Sequence, residues 1–182
     1  MSGRTHAIVP AGLASLLFNA DPLLTLTAAL AGLAPDIDEP YSVMGQRFWF
    51  LSWWIKYLWG HRTISHSLLM VVMIGVAGLV VMIPLPVVCA ICLGWGSHVL
   101  LDAASGGVMF WWPSKERWVL GRFPVYGVMD RALLVGGFLL FLVSFWIRVE
   151  HEVKTPIMPY VMGSATESGE WVSGDGRTMR RG

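Results

Sequence analysis

Four of the five histidines and four aspartates of this chain stand in short, spaced groups whose chemistry is that of cation ligands. His98 and Asp102 are four residues apart, one turn of one helical face, so an imidazole and a carboxylate can reach the same ion. His61 and His66 are five apart, which a continuous helix does not align. They converge if His61 lies in a loop and His66 in the first turn of a helix, with Ser65 as its N-cap. In Pro35-Asp36-Ile37-Asp38-Glu39-Pro40 the flanking prolines favour an extended backbone, and carboxylates two apart then project to one side. His6 and Asp130 complete the set. Neutral imidazole with carboxylate suits zinc, with manganese or iron as alternatives.

Taken singly, each group has a plainer reading. His6 is a solvated or capping residue near a terminus, His98 and Asp102 are a buried hydrogen-bonded pair, and Asp36 with Asp38 end a helix facing water. Arg62 reads equally as a phosphate clamp or as an interfacial anchor. Together they are harder to dismiss, because ionisable groups beside apolar helices are costly and need a partner or a task.

The elements that must position them are apolar helices. Segments 7–18, 23–34, 67–83, 87–101 and 133–147 are predicted helical, each shorter than the roughly 20 residues that cross a bilayer upright. Asn19-Ala20-Asp21-Pro22 and Pro84-Leu85-Pro86 leave room only for tight turns, so both flanking pairs are predicted to be antiparallel hairpins. If the third helix starts at one face with His66 and reverses at Pro84, the fourth returns His98 and Asp102 to that face. The same alternation brings His6, Asp36, Asp38 and Asp130 there and excludes His151.

Composition sets the solvent. Hydrophobic residues make up 55% of the 182 and charged residues 14%, with a mean hydropathy of +0.60, well to the apolar side of a soluble domain. A net charge of +1 with scattered basic residues gives no footprint for nucleic acid. Seven of the ten tryptophans lie in loops 35–66 and 102–130, the behaviour of residues at the headgroup level, and 46–59 is predicted to be an interfacial helix. Cys89 and Cys92 sit inside an apolar run and read as packing side chains. Segment 7–18 resembles a signal peptide but lacks a small-residue cleavage site, so His6 is kept in the mature chain. The expected organisation is a membrane-embedded domain over 1–150 and a polar, disordered tail over 151–182.

The groups Ala34-Pro35-Asp36-Ile37-Asp38-Glu39-Pro40, Gly45-Gln46-Arg47, Gly60-His61-Arg62-Thr63-Ile64-Ser65-His66-Ser67-Leu68 and Gly96-Ser97-His98-Val99-Leu100-Leu101-Asp102, behind His6, resemble the YdjM-like family. That is a LexA-regulated inner-membrane group assigned as metal-dependent hydrolases, distantly similar to zinc-dependent phospholipase C and P1 nuclease. The resemblance runs from His6 to about Arg131. It departs where Thr63 stands for a usual Gly, Ser65 for Thr, and Ala103-Ala104-Ser105-Gly106-Gly107 follows Asp102. It implies an all-α, integral-membrane bundle of four to five short helices with two or three divalent ions, most often zinc, at one membrane face. The implied metal ligands are His6, Asp36, Asp38, His61, His66, His98 and Asp102, with Asp36, Asp38, Arg62 and Asp130 in catalytic roles.

The expected function is hydrolysis of a phosphoester in a lipid or lipid-linked substrate by metal-activated water. The alternative is a membrane scaffold or stress-response protein with a structural metal. Arg47, Lys56, Arg62, Lys115, Arg117, Arg122 and Arg131 fall on the site side, so the positive-inside bias puts the site in the cytoplasm. The sequence leaves the substrate and the oligomeric state open.

Overall fold

The structure, a computed structural model, describes residues 1–60 and 62–154 and the pairs 164–165, 171–172 and 178–179. It divides into two compact units, Met1–Phe145 and Trp146–Gly182.

In the first unit, α1 (Gly3–Leu17) begins earlier than the apolar run suggests because Ser2 caps it, its Oγ accepting from Thr5 N at 3.4 Å. Helix α2 (Pro22–Ala31) starts on Asp21, whose carboxylate accepts from Leu24 N at 2.9 Å, and stops at Gly32. Residues Ala34–Asp38 form a 3-10 turn, not the extended segment expected from their prolines. Pro35 sits in its first turn, where a fixed φ is already helical and no N–H is missed. The expected interfacial helix is broken at Phe48 into α3 (Val43–Arg47) and α4 (Trp49–Trp59). Trp49, Phe50, Trp53, Trp54, Tyr57 and Trp59 of α4 are exposed, whereas Ser52 is buried.

A second 3-10 turn, Ile64–His66, precedes α5 (Leu68–Val80). The cap of α5 is Ser67, whose Oγ accepts from Met70 N at 3.2 Å, so Ser65 is not a cap and His66 lies outside the helix. Helix α6 (Leu85–Ser105) returns antiparallel, and α7 (Val128–Lys154) starts after a long loop and runs on into the second unit. The loop is pinned by a bridge between Val108 and Trp118 and by bonds from Leu120 N to Ala103 O and from Leu68 N to Phe110 O, both at 2.9 Å.

Helices α6 and α7 are long and apolar enough to cross a membrane. Half of the most apolar window of α6 is buried within the molecule, against 11% for α7, which therefore presents nearly all its surface outward. Where α1, α2 and α6 meet, Ala14, Ala28 and Ala90 form a core with Phe18, Leu24 and Leu93 around it. Small residues there allow close approach of backbones, the packing expected where lipid removes the hydrophobic drive between helices. A Cβ on Gly94 would strike the Ala28 carbonyl and the Gly32 nitrogen, so α6 touches the end of α2 directly.

In the second unit the described part of the tail holds three two-residue strands, β1 (Ser164–Ala165), β2 (Trp171–Val172) and β3 (Thr178–Met179), paired antiparallel in that order. Of the stretch expected to be disordered, 151–154 belong to α7, and the rest, these strands aside, lies outside the described residues.

Candidate metal centre

The chain reversals gather the start of α1, the end of α2, both 3-10 turns, the end of α6 and the start of α7. Within that cluster Asp36, His66, His98 and Asp102 each offer one ligand atom, and the four atoms lie within 4.8 Å of one another. Nε2 of His98 is 3.0 Å from Nε2 of His66, and Asp36 Oδ1 is 3.6 Å and 3.8 Å from those two nitrogens. Asp102 Oδ2 is 3.4 Å from His66 Nε2 and 3.8 Å from His98 Nε2. His66, His98 and Asp102 are almost wholly buried, while the Asp36 side chain keeps 21% of its surface exposed.

The supporting contacts fix which nitrogens face the centre. His98 Nδ1 is 2.7 Å from the Gly32 carbonyl, which only accepts, so Nδ1 carries the hydrogen and Nε2 presents its lone pair inward. His66 Nδ1 is 3.3 Å from Asp38 Oδ2 and 3.0 Å from Ser65 Oγ, and Asp38 also accepts from Ser65 Oγ and, at 3.2 Å, from Arg62 N. This is the carboxylate–histidine arrangement that orients metal-ligating imidazoles. Two like nitrogens at 3.0 Å, one with its lone pair fixed inward, beside two carboxylate oxygens, form a donor set that fits a divalent cation.

Burial acts against a charged His66, but the carboxylates of Asp102, Asp36 and Asp38 outweigh it and hold the imidazole up at about 10 in the metal-free protein. Burial likewise disfavours charge on Asp36. There the hydrogen bond with His66 and the fields of His98 and His6 prevail, keeping the carboxyl below the usual carboxylate range.

The other expected site residues take different places. His6 stacks on His98 with ring centroids 3.8 Å apart and points Nε2 at Asp102 Oδ1, 3.2 Å away, so it braces the centre from α1. Asp38 backs His66 and does not join the four, because the 3-10 turn aims it away from Asp36. Arg62 adopts a left-handed backbone, φ 60°, and brings Nε to 2.9 Å from Asp102 Oδ2 without hydrogen-bond alignment, a charge contact only. Its terminal nitrogen fills the space a side chain at Gly106 would take, which gives the glycine after Asp102 a reason. Asp130 stands apart from the four. Its Oδ1 accepts from Ser2 N at 3.0 Å and Thr5 Oγ1 at 2.8 Å, and its Oδ2 from Tyr126 N at 3.3 Å, so it ties α7 to α1. His61 lies outside the described residues, and His151 falls in the last turn of α7.

Sequence reading missed Gly32, whose carbonyl sets the His98 tautomer. The signal available was a glycine directly after an apolar helix, which marks a helix end and its free carbonyls. It also missed Trp95, whose indole N–H donates to Ser65 O at 2.7 Å and steadies the turn carrying His66.

Fold and site together define a predominantly helical protein with two helices long and apolar enough to cross a membrane and a buried histidine–aspartate cluster. The chain belongs to the family described as YdjM inner membrane protein, whose model matches residues 1–167. It is similar to the Inner membrane protein YdjM of Escherichia coli (strain K12), 38% identical over 105 residues, 54% of this chain and 52% of that one. The Shigella flexneri protein of the same description matches equally. The uncharacterized protein YvsG of Bacillus subtilis (strain 168) is 29% identical over 145 residues, 77% of this chain and 91% of that protein. No solved structure matches the chain.

Proposed function

We propose that the protein is a metal-dependent hydrolase of the inner membrane that cleaves a phosphoester in a lipid or lipid-linked substrate. The observation that supports this most is the convergence of Asp36, His66, His98 and Asp102 ligand atoms within 4.8 Å. A bound divalent ion, zinc in first place and manganese or iron as alternatives, would supply an acidified water and polarise a phosphoryl oxygen. His66 and His98 hold their Nε2 atoms inward, and Asp102 and Asp36 bring the compensating negative charge. The described residues supply ligands for one such ion; the two or three expected from the sequence would need donors beyond these four.

A cleft of about 300 Å³ reaches Asp36 between the start of α1, Glu39, Ser42 and Tyr126, and it gives water and a polar headgroup a way in. Asp36 is the one cluster member with exposed surface, so a water bound there can pass its proton to the carboxylate. Arg62 lies against Asp102 Oδ2, the oxygen that also faces His66 and His98, and its guanidinium is suited to attract a substrate anion. The exposed aromatics of α4 suit the headgroup layer, which supports a cleft at the level of the membrane surface. The basic residues of the same loops support a cytoplasmic orientation for that surface.

Four protein donors also suffice to close a tetrahedral structural zinc site, and this favours the scaffold as second reading. Detergent-purified protein assayed for metal content and against phosphodiester and phospholipid panels separates the two. Hydrolysis that disappears with the metal in His98→Ala supports the hydrolase. Full metal with no turnover on any phosphoester supports the scaffold, and no bound metal removes both.

A further inference from the structure

The contact between α1 and α7 leaves an apolar groove beside it that the site chemistry does not use. Gly12 and Gly137 meet backbone to backbone, and a cavity of about 530 Å³ runs alongside that contact. Val9 and Leu13 form one wall, and Leu133, Gly136, Leu140 and Val143 the other. Every lining residue is apolar or glycine, so neither water nor a polar segment finds hydrogen-bond partners there.

The groove has a direction and a length. Its upper end lies beside the site, since Val9 is three residues after His6, and Ala132 two after Asp130, the residue that binds Ser2 and Thr5. From Ala132 to Val143 it descends α7 by about 16 Å at helical rise. That is close to half the roughly 30 Å hydrocarbon thickness, the depth of one leaflet. It opens on α7, the span with most of its surface turned outward.

We propose that this groove seats one acyl chain of a membrane lipid, holding its headgroup at the level of the metal centre. The inference rests on the hydrolase reading for what happens to the headgroup, but the seat itself is a binding property. It defines the substrate class as a chain-bearing amphiphile taken up from the leaflet nearest the site.

The full-length protein, reconstituted in phosphatidylglycerol–phosphatidylethanolamine vesicles containing a lipid with a mid-chain diazirine, is photolysed and the labelled residues are mapped. Labelling of Leu133 and Leu140 is expected to exceed that of Phe138 and Phe145 several-fold. Gly136→Trp fills the groove, a Cβ at 136 having nothing within 4 Å, and is expected to abolish that excess, while Gly136→Ala keeps it. Leu133→Trp repeats the block should the first variant fail to insert. Equal labelling of Leu140 and Phe138 in the unsubstituted protein, or an excess untouched by both tryptophans, overturns the proposal. In a second arm, Gly136→Trp is expected to slow a long-chain phosphoester on the order of tenfold through lost positioning and to spare bis(4-nitrophenyl) phosphate. If the unsubstituted protein cleaves neither compound, the hydrolase reading fails, and the labelling map still decides the groove.

Discussion

At neutral pH the His66 imidazole must give up a proton before its Nε2 can share a cation with that of His98. Burial alone would favour the neutral ring, but Asp102, Asp36 and Asp38 hold its pKa at about 10 against 6.5 for a free histidine. Metal uptake is therefore proton-coupled. Between pH 7 and 9 each ion bound should release about one proton, and apparent affinity should rise about tenfold per pH unit, each unit being about 1.4 kcal/mol. At pH 7, some three units below that value, the coupling weakens binding roughly a thousandfold, about 4 kcal/mol. Asp36, already held below the usual carboxylate range, adds no proton over this interval.

The same group sets the sign of stability in the metal-free protein. A folded pKa above the unfolded one contributes stability that is complete below about pH 6.5 and is lost as pH rises through 10, so melting should fall across that window. Titration calorimetry with zinc or manganese in buffers of different ionisation enthalpy counts the protons. Asp38→Asn removes one of the carboxylates that raise His66 and should shrink the release. A proton count near zero, with affinity flat from pH 7 to 9, would refute the placement of His66 as a protonated ring that becomes a ligand.

Asp130→Ala should lower stability by about 1–3 kcal/mol, through unsatisfied Ser2 N and Thr5 Oγ1, while metal stoichiometry stays unchanged; loss of metal at full stability would return Asp130 to the centre. Gly94→Leu should cost about 1–3 kcal/mol or more by forcing α6 from the end of α2, and by stretching the His98–Gly32 contact it should also weaken metal retention, read by melting and metal analysis together. Arg62→Lys should reduce turnover more than metal content, because an ammonium cannot present the guanidinium fork; equal loss of both would make Arg62 a structural brace. A cysteine at Ser114 should react with membrane-impermeant maleimide only after the cytoplasmic face is opened, and labelling of intact cells would reverse the orientation.

Connectivity was the legible part of this molecule. One tight turn between two apolar runs, at Pro84-Leu85-Pro86, was enough to carry His66 and His98 to one end, and their nitrogens stand 3.0 Å apart. Side-chain direction within the loops was not legible, because it depends on backbone that proline admits in more than one form. Pro35 restricts the residue before it toward extended structure, yet it also fits the first turn of a 3-10 helix, and that form separates Asp36 from Asp38. Asp130 read as a site acid because it reaches the correct end, but three local donors claim its oxygens, a fact no spacing records. The start of α1 moved because Ser2 caps it ahead of the apolar run, whereas Asp21 and Ser67 cap helices within one residue of their expected starts.

X-ray absorption at the metal edge on purified, metal-loaded protein tests the central claim most directly. The account predicts a divalent ion with imidazole nitrogens from His66 and His98 and oxygens at first-shell distances of about 2.0–2.2 Å for zinc, with the imidazole signal reduced in His66→Ala and in His98→Ala. A first shell without imidazole, or one unchanged by both substitutions, would contradict it.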